Sequence, residues 1–110
     1  MRKSERIIWK MSDTVYTISQ LKERLIPIFI NNSIRRAVLF GSYGKGVATK
    51  ESDIDLLVDS GLKGLGFVGL IEDIRAAVDK EVDIFDITHV EKGSAIDLEI
   101  QKTGILMYEK

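Results

Sequence analysis

The chain has no cysteine. That excludes a disulfide framework and any zinc site built on thiolates, and it fits a reducing compartment. Long apolar runs are missing as well. No segment approaches the roughly 20 apolar residues that a membrane-spanning helix needs, and the opening MRKSERIIWKMSDT has basic residues but no apolar stretch long enough for a signal peptide. The expected location is cytoplasmic, with no membrane contact. Nor is there an excess of charge: 16 Lys and Arg stand against 17 Asp and Glu, a formal net charge of -1. A dedicated nucleic-acid binder is usually clearly basic, so direct nucleic-acid binding is not expected. The local clusters SIRRAV and LKER read as solvated edges.

What is present describes an ordinary globular protein, 45% hydrophobic and 30% charged over 110 residues. That length holds one domain, expected to span residues 1–110, and such a domain buries roughly two-thirds of its unfolded surface, enough for a core without staples. Residues 1–13 show no period and read as an N-terminal arm, in which Arg6–Met11 is apolar enough to pack and Trp9 reads as a packing residue. Ile18, Leu21, Leu25, Ile28 and Phe29 then recur at helical spacing behind a Thr17–Gln20 capping box. The single proline, Pro27, lies deep in that pattern and predicts a kink or a change of partners.

RRAVLFGS reads as a buried strand, YGKGVATKES as a loop, and DIDLLVD as a second strand with Ile54, Leu56 and Val58 on one face. FVGLIEDIRAAVDK has the stripe of an amphipathic helix, EVDIFDI alternates as a third strand, EKGSAIDLEIQK reads as a last helix stopped at Thr103-Gly104, and ILMYE as a terminal strand. The order α-β-β-α-β-α-β predicts a small α/β or α+β fold, a mixed β-sheet with helices packed on it.

One pair of charges has no place in a fold made for stability alone. Asp53 and Asp55 flank Ile54 at the head of the second strand, where residues i and i+2 project from one face with Cβ atoms roughly 6–7 Å apart. As bare anions they repel; together they make a clamp for a divalent cation such as magnesium, which takes carboxylate oxygens plus waters and substrate phosphates. A third carboxylate at the same end of the sheet would complete a two-metal arrangement. Asp83, near the start of another strand and among hydrophobic residues, is the natural candidate, since a charge there is costly without a role. Asp86, at the strand's far end, and Asp59, beside a loop, compete with it as solvated carboxylates.

The glycine turn FGSYGKG supplies the other half. Directly after a buried strand, Gly41-Ser42 should leave backbone N–H groups unpaired and open to close approach by a phosphate. Ser42 adds a hydroxyl donor and Lys45 a mobile positive charge. The glycines at 61, 64, 66 and 69 read as loop and helix-start residues, and His89 as an exposed turn residue.

The joint order of strand, Gly-Ser, ten residues, Asp-x-Asp, helix and strand with Asp is the specific signal. GSYGKGVATKESDID resembles the signature of the polymerase-β-like nucleotidyltransferase superfamily, and the chain from Tyr16 to Tyr108 looks most like its minimal nucleotidyltransferases, the MNT proteins of bacteria and archaea. The resemblance implies that Gly41 and Ser42 form the nucleotide-phosphate turn, that Asp53 and Asp55 are metal ligands, and that Asp83 acts with them and helps activate the attacking hydroxyl. It implies transfer of a nucleoside monophosphate, AMP from ATP, to a hydroxyl with release of pyrophosphate, with one or two magnesium ions as cofactor. Many relatives have Ala-Arg where this chain has Gly44-Lys45; lysine keeps the charge and loses the two-pronged geometry. Larger members carry an acceptor-binding domain that this chain has no room for. In the resembling family the partner is often a HEPN-domain toxin, neutralised by the MNT antitoxin through attachment of AMP to a tyrosine. Two other readings fit the same residues: an idle fold that neutralises its partner by occlusion, and transfer to a small molecule.

Overall fold

A computed structural model describes residues 14–110; the expectations for the N-terminal arm, Trp9 and Arg6–Met11 lie outside the described residues. Thr17 starts helix α1 (Ile18–Asn31) with a complete capping box: its Oγ1 accepts the Gln20 N–H at 3.1 Å and Gln20 Oε1 accepts the Thr17 N–H at 2.8 Å. Leu21, Leu25 and Phe29 follow at intervals of one turn and are wholly buried. Pro27 does not end the helix. It lies on the exposed side of the helix, one turn after the exposed Glu23, whose carbonyl loses its helical N–H partner.

Strand β1 (Arg36–Phe40) is buried on both faces from Ala37 onward, which is why its sequence is continuously apolar after Arg36. The segment expected to be loop begins instead with a short helix, α2 (Gly41–Lys45). Tyr43, 3% exposed, draws this turn onto the core, and Gly46 in the left-handed region ends it. Strand β2 (Ile54–Asp59) buries Ile54, Leu56 and Val58, and helix α3 (Leu65–Val78) buries Leu70, Ile74 and Val78. Strand β3 (Val82–Asp86) runs into a single 3-10 turn, Ile87–His89. Helix α4 (Ala95–Thr103), capped by Ser94, leads into strand β4 (Ile105–Glu109).

The four strands form one mixed sheet in the order β3-β2-β1-β4, with β2 and β3 parallel and the other pairs antiparallel. The parallel pair needs a crossover, and α3 supplies it. This is an α+β architecture. Helices α1 and α3 share one core with Ala37, Leu39, Ile54, Leu56, Val58, Val82 and Met107 on one face of the sheet. Tyr16 joins the two helices, its hydroxyl donating to the Val78 carbonyl at 2.8 Å, while Arg24 lies over the Tyr16 ring and donates to the Ala77 carbonyl. The opposite face carries Val38 and Phe40, and α4 comes in beside it. Gly104 ends α4 for reasons of space rather than handedness. Its φ is -64°, and a Cβ there would lie 2.5 Å from the Ile100 carbonyl oxygen and 3.0 Å from Val38 Cγ1. Among the described residues no helix is long and apolar enough to cross a membrane.

Asp86 differs from expectation. Instead of a solvated carboxylate it is 3% exposed. Its Oδ1 accepts the Ser60 N–H and hydroxyl at 3.1 and 2.6 Å, and its Oδ2 accepts the Thr88 N–H and hydroxyl at 3.1 and 2.6 Å. Burial pushes its pKa up, but the Ser60 and Thr88 hydrogen bonds outweigh this and bring it down to about 2. A folded pKa below the unfolded one gives stability that is complete above the unfolded value and lost as pH falls toward 2. The shift corresponds to about 2 kcal/mol. Asp86→Asn should therefore lower the unfolding free energy at pH 7 by about that amount, with the difference from wild type closing between pH 4 and pH 2 in denaturant titrations. A gap independent of pH would remove the charge from the explanation.

Candidate functional site

The sheet register gathers the carboxylates. Antiparallel pairing sets Asp55 opposite Phe40, the last residue before Gly41, and parallel pairing sets Asp83 beside Asp55. Asp53 immediately precedes β2 and is exposed; Asp55 is half-buried; Asp83 is exposed. The expectation that Asp83 sits in a hydrophobic setting does not hold. On the open face of β3 its charge meets water and the neighbouring carboxylates. Burial raises the Asp55 pKa to about 6, with further upward pressure from Asp83, Asp53 and Glu99 in that order. Asp53, Asp55 and Asp83 are thus near enough to repel one another, and α4 adds a fourth negative charge.

Gly41 makes the turn toward them in the left-handed region, φ +72°. A Cβ at this position would collide with Asp55 Oδ2, so only glycine lets the carboxylate lie directly against the turn. The Gly41 N–H is not free, as the sequence led one to expect: it donates to Thr103 Oγ1 at 2.9 Å in a buried hydrogen bond. Ser42 follows, half-buried, as the first residue of the turn able to offer a hydroxyl. Gly44 is explained by the same neighbour, since a Cβ there would overlap the Thr103 carbonyl oxygen. Lys45 is exposed, with Nζ 4.0 Å from Glu99 Oε2, an ion pair too open to contribute much stability.

Other candidates fall elsewhere. Asp59 closes β2 opposite Arg36, at the far end from Asp55. Asp86 pairs with Val58 and is saturated by Ser60 and Thr88. Gly61 and Gly64 lie in the loop before α3, Gly66 and Gly69 within α3, and His89 is exposed on the 3-10 turn. A cavity of about 530 Å³ lies at that end of the sheet, lined by Leu62, Phe67, Asp86 and His89 among others, with none of Asp53, Asp55 and Asp83 in its lining. Sequence reasoning missed Glu99 and Thr103. Their spacing of four puts them on one face of α4, but nothing local says that this face meets the Gly41 turn.

Asp53, Asp55 and Asp83 offer hard oxygen ligands on an open edge. Among the described residues, no group of three or more Asp, Glu or His side chains is placed to hold a metal ion by itself. The donor set still suits magnesium, which completes its shell with water and substrate phosphate oxygens, and the repulsion on Asp55 is what a divalent cation would relieve.

Comparison with known proteins agrees with this geometry. The family model for polymerase beta nucleotidyltransferases matches residues 23–110. A Methanocaldococcus jannaschii protein named "Putative protein adenylyltransferase" is 36% identical over 69 residues, covering 61% of this chain and 74% of the relative. Among solved structures, a chain from a toxin–antitoxin crystal structure with AMP-PNP superposes with a TM-score of 0.68 at 22% identity, covering 81% of this chain and 73% of that one. A chain from the complex of a tri-AMPylated Shewanella oneidensis HEPN toxin with MNT antitoxin gives 0.64 at 20% identity, covering 84% and 73%. At these identities the structural likeness is one of fold.

The Asp55 shift carries a sign that can be measured. Its folded pKa lies above the unfolded value, so the native state binds the proton more tightly and metal-free stability should fall as pH rises from about 4 to about 6. In thermal melts with chelator present, wild type should lose stability across this window relative to Asp55→Asn, and magnesium should restore it. Parallel curves for the two proteins would contradict the crowding of charge at Asp55.

Proposed function

As a member of the polymerase beta nucleotidyltransferase family, this chain is a nucleotidyltransferase, and we propose that it transfers AMP from ATP to a hydroxyl of a partner protein. The observation that carries this reading is the position of the Asp55 carboxylate against the glycine turn, with Asp53 and Asp83 beside it on an edge open to solvent. The turn that Gly41 makes presents Ser42 to the phosphates, with Lys45 as a mobile counter-charge. Asp53 and Asp55 would hold magnesium, with Asp83 completing the set, and a bound ion would supply neutralisation of phosphate charge. The acceptor oxygen forms a bond to the α-phosphorus as the bond to the leaving pyrophosphate breaks. Asp83, exposed and next to Asp55, helps take up the acceptor's proton.

The acceptor we propose is a HEPN-domain protein, with this chain as the antitoxin of the pair, acting in the cytoplasm. The adenylyltransferase relative and the fold shared with chains from HEPN–MNT complexes support that assignment. So does the open site: the described residues place no cover over Asp83, which leaves access for an acceptor carried on another protein.

The test is to isolate the tagged chain from its host with whatever accompanies it, and to take intact masses of every component, alongside the double variant Asp53→Asn, Asp55→Asn. Adenylylation predicts AMP mass increments on the partner that vanish with the variant. A partner that accompanies both forms unmodified would replace transfer by neutralisation through binding alone.

A further inference from the structure

The end of α4 holds the nucleotide turn by contacts that the proposed chemistry does not itself require. Thr103 is buried, and its Oγ1 accepts the Gly41 N–H at 2.9 Å. An N–H can only donate, so the hydroxyl's own proton is left for another acceptor, and it goes to the Glu99 carbonyl at 2.8 Å. Both roles of the hydroxyl are therefore filled and its orientation is fixed. A second contact lies one helical turn further along α2, where the Cα of Gly44 packs against the Thr103 carbonyl oxygen with no space for a Cβ.

Gly41 pairs this with an unusual backbone. It turns in the left-handed region directly against Asp55 Oδ2. Its N–H is buried, so without Thr103 Oγ1 that donor has no access to water, and an unpaired buried N–H costs free energy. The turn's least costly response is to rotate the Gly41 peptide outward. That movement carries Ser42 with it and shifts the turn relative to Asp55.

We propose that Thr103 is a positioning residue for nucleotide binding: its hydroxyl occupies the Gly41 N–H and locks the turn so that Ser42, not Gly41, faces the phosphates. This rests on the nucleotidyltransferase reading of the site. Thr103 is buried behind the turn and acts through Gly41 and Gly44.

The experiment measures ATP affinity in the presence of magnesium by calorimetry, with a thermal melt on every sample. Thr103→Val keeps the shape and deletes the hydroxyl; it should weaken ATP binding about tenfold, while Thr103→Ser, which keeps the hydroxyl, should bind close to wild type. Ile74→Val, in the α3 core away from the turn, serves as the stability control: it should lower the melting temperature and leave affinity unchanged. Amide exchange at Gly41 should accelerate in Thr103→Val and stay close to wild type in Thr103→Ser. If Thr103→Val does not fold, Gly44→Ala takes its place, since it preserves the hydroxyl and forces the turn away from Thr103; it too should weaken binding. Wild-type affinity in Thr103→Val or in Gly44→Ala would overturn the proposal, as would an equal loss in Ile74→Val, which would make the effect one of general stability. Absence of ATP binding by wild type itself would instead overturn the nucleotidyltransferase reading, and the role of Thr103 with it.

Discussion

The close approach of the Asp55 carboxylate to the Cα of Gly41 is the contact on which the site depends. It exists because β1 and β2 run antiparallel with Phe40 opposite Asp55, so the end of one strand and the start of the other share an edge. It also needs a residue without a side chain at a positive φ, and glycine meets both demands. From that contact the rest follows in space. Parallel pairing of β3 brings Asp83 alongside, and the ten-residue spacer after Ser42 has only to return the chain to Asp53.

Two carboxylates in this small sheet are treated in opposite ways, and the difference separates structure from function. Asp86 is surrounded by donors, two hydroxyls and two backbone N–H groups, and its charge stabilises the native state. Asp55 is surrounded by other carboxylates, Asp83, Asp53 and Glu99, and its charge opposes folding. A residue that lowers the stability of its own fold needs some other reason to be there. On the proposed reading a divalent cation supplies that reason, because its positive charge on this edge would turn the repulsion into attraction.

The Gly41–Ser42 turn is supported from behind by α4, whose Thr103 meets both Gly41 and Gly44. Gly104 then lets the chain leave the helix in contact with Val38 and enter β4, which pairs with β1 itself. Strand β1 is thereby held on one side by the strand that bears Asp55 and on the other by the strand that follows Thr103. The carboxylate of Asp55 and the helix that steadies the turn are anchored to the same central strand, so a shift of one relative to the other would require breaking sheet hydrogen bonds.

By itself the sequence determined most of the elements and the candidate residues of the site. Alternation in β2, the one-turn spacing of Leu21, Leu25 and Phe29, and the Thr17–Gln20 box are written in neighbouring residues, and so is the spacing from Gly41-Ser42 to Asp53 and Asp55. Only the tertiary structure decided which carboxylate was buried, since Asp86 finds its partner Ser60 26 residues away, and why Gly41 has no free N–H, since Thr103 lies 62 residues further along. It also decided that Tyr43 would fold a presumed loop into a turn of helix, and that Gly104 answers to crowding rather than to handedness. The physical reason is the same in each case. Periodicity and caps depend on contacts a few residues apart, whereas burial and hydrogen-bond satisfaction depend on which distant segment the sheet register brings into reach.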